Sequence, residues 1–256
     1  MNLLLSEGQV LAQTSYDLDL VALSYAIAVL GSFVALTAAR NIRGPNGLQW
    51  RNVLASGAAL GGIGVWSMHF TGMLALKLGM GSSYSVLETL VSLVAAMGAT
   101  SAALAFVALR PNSLARVLGA GTLLGLGVAF MHYLGMAGMR FPGFILWSWD
   151  VIGLSVFIAV VAASAALWLT FRARRVVLRV AAALVMGLAV CAMHYTGMAA
   201  ADFICTAPES TRFATPTGSG MINAMQLAAL TPMVAIAMAV VIGLEQVLRK
   251  NLTQSA

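Results

Sequence analysis

Charge and cysteine are both scarce in this chain. Only 9% of its 256 residues are charged, against about 25% in soluble domains, and the mean hydropathy is +0.93. That excludes a soluble globular domain. Two cysteines, Cys191 and Cys205, are too few for a disulfide scaffold. No Ser/His/Asp set, phosphate loop or pair of carboxylates is present to support hydrolysis or phosphoryl transfer, so no enzyme is expected. The first fifteen residues hold no basic residue, and Leu3-Leu4-Leu5 is too short for the apolar region of a cleavable signal peptide. Histidine is scarce as well, with three in the whole chain.

What is present instead is a series of long apolar runs. Seven segments have the length of roughly 20–25 residues that a tilted spanning helix needs. They run over Leu18–Ala39, Val53–Leu76, Ser85–Leu109, Ala115–Met139, Val151–Phe171, Val176–Ala200 and Ala224–Leu248. The expected fold is therefore all-α and integral to the membrane: an outer segment over 1–16, a seven-helix domain over 17–248 and a short tail over 249–256. Nothing in that tail resembles an output domain, so any signal is expected to pass to a separate protein.

The net charge of +6 would suggest a nucleic-acid partner in a soluble chain, but here the basic residues lie in short loops. Arg40, Arg43 and Arg51, then Arg110 and Arg116, then Arg172, Arg174, Arg175 and Arg179, and finally Arg249 and Lys250 all fall on one side. That is eleven of the fourteen basic residues, while the other side holds seven of the eight acids. By the positive-inside rule the N-terminus is outside and the C-terminus cytoplasmic. No nucleic-acid partner is expected; the bilayer is.

The three histidines share one frame. Met68-His69-Phe70-Thr71-Gly72-Met73, Met131-His132-Tyr133-Leu134-Gly135-Met136 and Met193-His194-Tyr195-Thr196-Gly197-Met198 are spaced 63 and then 62 residues apart. They lie near the ends of helices two, four and six, about 10 Å below the outer surface at roughly 1.5 Å per residue. The repeat extends further, since Asp19-Leu20-Val21-Ala22-Leu23-Ser24 matches Asp150-Val151-Ile152-Gly153-Leu154-Ser155. Glu88 opens helix three in the same role, and these acids suit a helix N-terminus. The unit is an outside-in helix followed by an inside-out helix with the motif. Three such parallel units and a closing seventh helix make the chain.

Positions four and seven apart share a helix face. Four residues after each histidine stand Met73, Met136 and Met198; seven before stand Gly62, Gly125 and Gly187. Small residues let helices approach closely in lipid, so the glycine stripe is expected to pack the three motif helices together and to converge three His and up to three Met. Imidazole suits copper, zinc, iron and nickel, while thioether sulfur favours copper, particularly Cu(I). The set points to copper before zinc. Met68, Met131 and Met193 lie roughly 100° round the helix from the histidines and fit packing better than ligation. Cys191, three residues before His194, offers a possible thiolate, with a buried inert thiol as the simpler reading. One histidine on one spanning helix would be read as a buried hydrogen-bonding group and the methionines as core filler. Three at one depth favour a shared site.

These motifs and the seven-helix pattern, from about Asp17 to Leu248, resemble the MHYT domain of bacterial membrane signalling proteins. The resemblance implies an integral sensor of the bacterial cytoplasmic membrane. It also implies a metal, copper first, bound near the outer face by conserved Met and His, and sensing of oxygen, carbon monoxide or nitric oxide. Two alternatives stand beside it. A copper-handling protein would need further sites along its path, and the inner halves of the helices have no histidine. A b-type haem protein would use two histidines as axial ligands, against the limited space that adjacent small residues leave for a macrocycle.

Overall fold

The computed structural model describes residues 9–45, 47–173 and 175–254. The first eight residues of the outer segment, with Glu7, Arg174 and the last two residues of the tail, lie outside the described residues. Among the described residues, seven helices are long and apolar enough to cross a membrane: α1 (Leu18–Ala38), α2 (Trp50–Ala75), α3 (Val86–Leu109), α4 (Leu114–Ala137), α5 (Trp149–Arg172), α6 (Val176–Ala199) and α7 (Ala224–Gln254). The protein is a multi-pass membrane protein.

Local chemistry sets where the helices begin. The Asp17 carboxylate accepts from the backbone N–H groups of Asp19 and Leu20 at the start of α1, and Ser113 accepts from that of Arg116 at the start of α4. At α3, the Ser85 hydroxyl meets the Glu88 carboxylate. Asp19, Glu88 and Asp150 stand in first turns, where the helix dipole favours an acid.

Six of the helices form a ring in which each packs on the next, and α1 closes it by lying between α2 and α6. The seventh, α7, packs on α2, where Met238 lies against Gly62. Each ring contact has a polar tie near the outer face. The backbone N–H of Asp17 donates to the carbonyl of Ala75, that of Ser85 to Gly138 and that of Ser148 to Ala200, all at 2.9 Å. The three acceptors stand six residues after the three histidines, so α1, α3 and α5 each begin by satisfying an orphan carbonyl at the end of the next motif helix. Two of these joints carry an ion pair as well: Lys77 to Asp17 at 3.0 Å and Arg140 to Glu88 at 2.7 Å. The hydrogen bond from Lys77 holds the Asp17 carboxyl below its ordinary range.

The outer connections are short antiparallel strands rather than plain loops. Gly143–Trp147 pairs with Ala201–Cys205, which pairs in turn with Val10–Leu11; Ser83–Ser85 lies between Met139–Arg140 and Met221–Asn223. Backbone groups just beyond helix ends need partners, and these strands supply them as a lid over the bundle.

The middle of α2 departs from regular α-helix. Ala58–Ser67 is wound as a π-helix, and the Ser67 hydroxyl donates to the carbonyl of Gly62. Gly64 in this stretch faces Gly31 of α1 with backbone against backbone, and a Cβ at Gly31 would overlap Gly64. Trp66 is fully buried, and its Nε1 donates to the carbonyl of Thr89 and the hydroxyl of Ser92 on α3, at 3.0 and 3.1 Å. α2 is the most enclosed helix, with 89% of its apolar window buried against 22–44% in the others. Its position therefore depends on close approach. Gly31→Val is expected to cost about 1–3 kcal/mol by overpacking, read as a lower Tm of the detergent-solubilised protein.

Candidate metal centre

His69 on α2, His132 on α4 and His194 on α6 meet on the axis of the ring. Their Nδ1 atoms lie 3.1 Å (His69 to His194), 3.1 Å (His132 to His69) and 3.3 Å (His194 to His132) apart. All three rings are at most 1% exposed and stack edge to face, with centroids 4.9–5.1 Å apart. Among the described residues this is the one group of His, Cys, Asp or Glu side chains close enough to share a metal ion.

The glycine three residues after each histidine makes this convergence possible. A Cβ at Gly135 would overlap Nε2 of His69, one at Gly197 would overlap Nε2 of His132, and one at Gly72 would overlap Nε2 of His194. Each imidazole thus lies across the bare backbone of the next motif helix, in a cycle. The three Nε2 atoms are buried and have no hydrogen-bond partner.

A neutral imidazole carries one N–H and one lone pair. Three Nδ1 atoms in mutual contact cannot all carry a proton, because an N–H here needs a neighbour's lone pair. At least one lone pair therefore faces the centre, and protonation on Nε2 turns all three inward. A point just off the plane of the three nitrogens lies about 2 Å from each, the length of an imidazole–metal bond. The donor set and its spacing fit one ion held by three imidazoles. No carboxylate belongs to the group.

The other sequence candidates are placed as follows. Met73, Met136 and Met198 are 1–2% exposed and lie in the main apolar core with Met131 and Met193. Met68 packs with Ala28 and Cys191. Cys191 is a free, buried thiol outside the histidine group, and Cys205 is buried and free in the outer strand lid. Gly62, Gly125 and Gly187 do allow close packing, but against other partners than expected. Gly62 takes Met238 of α7, Gly125 takes Ala159 and Val160 of α5, and Gly187 takes Val29 and Tyr25 of α1. The motif helices touch one another little away from the motif. Below it they spread, and the face that carries histidine at the top meets an odd-numbered helix lower down.

The space left by that spreading is an apolar cavity of about 40 Å³. Its wall includes Val65, Val128 and Val190, together with Thr100, Ala163 and Met193. Each valine stands four residues before a histidine, so the cavity begins one helical turn beneath the triad. The threefold valine was visible in the sequence but has meaning only once the helices converge.

A second repeated feature tethers the site to the ring. The Tyr133 hydroxyl hydrogen-bonds Ser155 of α5 at 2.5 Å, and that of Tyr195 hydrogen-bonds Ser24 of α1 at 2.9 Å. Ser24 and Ser155 end the two matched hexapeptides. In the first copy the aromatic is Phe70, and Trp66 supplies the bond to Ser92 instead.

The chain matches the family described as "Bacterial signalling protein N terminal repeat", named MHYT, over residues 62–120, 125–183 and 187–256. It belongs to the MHYT family. Each match opens on the stripe glycine of a motif helix and runs through the helix that follows. In space the place beside α6 is taken by α1, whereas in the chain α7 comes next.

Curated relatives include the bifunctional diguanylate cyclase/cyclic di-GMP phosphodiesterase MucR of Pseudomonas aeruginosa, 45% identical over 74% of this chain and 28% of its own length. The cyclic di-GMP phosphodiesterase NbdA of the same organism is 35% identical over 76% of this chain and 25% of its own. The signaling protein YkoW of Bacillus subtilis is 30% identical over 74% and 24%. The chain thus spans about a quarter of the length of these relatives. No solved structure matches it. The seven spans and these relatives make it a membrane signalling domain of the bacterial inner membrane.

The tyrosine tethers give a direct check. Tyr133→Phe and Tyr195→Phe each remove a hydrogen bond and are expected to cost about 1 kcal/mol. The melting curve in detergent should show both losses. In Ser155→Ala the Tyr133 hydroxyl keeps no partner, so the loss should be at least as large.

Proposed function

We propose that this protein is a membrane sensor whose His69, His132 and His194 hold a copper ion near the outer face. The observation that carries the reading is the contact of three fully buried Nδ1 atoms at 3.1–3.3 Å. The charge balance supports copper, and Cu(I) in particular. The ligands are neutral and no acid joins them, so a bound ion keeps its charge inside the membrane, and the cost of burying charge favours the lower one. Met73, Met136 and Met198 would complete the set as soft donors. Two axial bonds to a haem iron would span about 4 Å with the macrocycle between them, and nitrogens at 3.1–3.3 Å leave no room for that.

The stimulus in this reading is a small apolar gas such as oxygen, carbon monoxide or nitric oxide. A bound copper ion would supply an electron-rich centre that a diatomic can ligate, and the chain would supply the room. An apolar cavity of this size stays dry and admits small apolar molecules. Its wall carries two thioethers, Met186 and Met193, but no His, Cys, Asp or Glu, which supports sensing over ion transport. Ligand binding would shift the packing of α2, α4 and α6 to the extent that it favours one arrangement of the triad. A separate cytoplasmic signalling protein would read the change.

Metal analysis of the purified protein tests the site. The wild type is expected to retain one copper ion per chain when reduced, with His132→Ala losing it and Gly135→Ala binding it at least tenfold more weakly. Retention of the ion by His132→Ala, or no metal in the wild type under either redox condition, would overturn the shared site. Val128→Phe tests the cavity separately: copper should remain while carbon monoxide binding, followed by its infrared stretch, falls.

A further inference from the structure

A buried cationic side chain lies at the opposite end of the molecule. Arg179 stands in the first turns of α6, fifteen residues from His194 and so about 22 Å along the helix from the triad. It is only 4% exposed, and its Nε and Nη1 atoms are buried without a hydrogen-bond partner. Its guanidinium lies 5.9 Å from the ring centre of Phe33 on α1. The charge that acts on it is a like one, that of Arg40 at the end of α1. No acid among the described residues pairs with it; the acid on this face, Glu245, is bound to Arg51 at 2.8 Å. The N-cap of α6 is Arg175, which makes no side-chain capping bond, so the first-turn N–H groups carry further positive potential.

A guanidinium does not deprotonate in a protein, and a buried charge without a partner costs several kcal/mol. Its Nε and Nη1 both lack acceptors, and a guanidinium makes its strongest hydrogen bonds, charge-assisted, to carboxylate or phosphate oxygens. We infer that Arg179, with Arg40 and the start of α6, forms a cytoplasmic-side site for a phosphoryl group. Two sources share that chemistry: the phosphodiester headgroup of an inner-leaflet anionic lipid, and a soluble phosphate compound from the cytoplasm. The site is independent of the histidine centre.

The test compares wild type, Arg179→Met and Arg179→Lys in nanodiscs of phosphatidylcholine alone, of phosphatidylcholine with phosphatidylglycerol, and of phosphatidylcholine with added inorganic phosphate. The wild type should show an upward shift of Tm with one of the two anions. A shift with phosphatidylglycerol assigns the site to lipid, and a shift with phosphate assigns it to a soluble ligand. Arg179→Met should lose the shift while melting in phosphatidylcholine no lower than wild type, because it removes an unpaired charge and keeps the apolar stem. Arg179→Lys keeps the charge but loses the planar guanidinium and its separate N–H groups, and should lose most of the shift. Native mass spectrometry of the wild type should retain a phospholipid or phosphate that Arg179→Met releases, a readout that stands even where a variant folds poorly. No shift with either anion, or an equal shift in Arg179→Met, would overturn the assignment. So would a large loss of stability of Arg179→Met in phosphatidylcholine alone.

Discussion

Three imidazole nitrogens in contact inside a membrane are a demanding arrangement, and much of the structure serves it. Lipid offers no water to satisfy or screen them, and each ring leaves a second nitrogen buried without a partner. Three rings reach one point only if each can lie across the backbone of its neighbour, which is why Gly72, Gly135 and Gly197 stand where they do. A methyl group at any of them would push one ring off the axis. The cyclic order, α2 onto α4, α4 onto α6 and α6 onto α2, means that a change at one ring is felt by all three.

Around this centre the ring of helices is tied at its outer end by groups that recur with the repeat. The N–H groups of Asp17, Ser85 and Ser148 meet the carbonyls of Ala75, Gly138 and Ala200. Tyr133 and Tyr195 meet Ser155 and Ser24, and Trp66 stands in at the first copy. Each motif helix is thereby bound to both of its neighbours close to the histidine it carries. In the cytoplasmic half the polar ties do not recur with the repeat: Arg116 donates to the carbonyl of Phe106 between α4 and α3, and Arg51 pairs with Glu245 between α2 and α7.

The fold was legible in the sequence because the features that set it are one-dimensional. Apolar runs mark spans, loop charges mark orientation, and a sixfold motif seen three times marks one depth. The histidine site was legible for the same reason: equal positions in equivalent helices must share a height. Partners across the ring were not legible. Gly62, Gly125 and Gly187 lie in phase with the histidines, yet they meet α7, α5 and α1 because the motif helices diverge below the triad. The π-helical stretch of α2 adds a further change of phase that periodicity does not announce. Arg179 read as one more topology signal, since burial of a guanidinium depends on what α1 and α6 do together.

The sequence by itself determined the membrane class, the seven spans, their direction and the common depth of His69, His132 and His194, all properties of composition and spacing along one chain. Tertiary structure alone decided that α1 rather than α7 completes the ring, that the glycine three residues after each histidine receives the imidazole of another helix, and that three equivalent valines line one cavity a turn below. Those outcomes depend on which helix faces meet, and a face acquires a partner only when the whole ring closes.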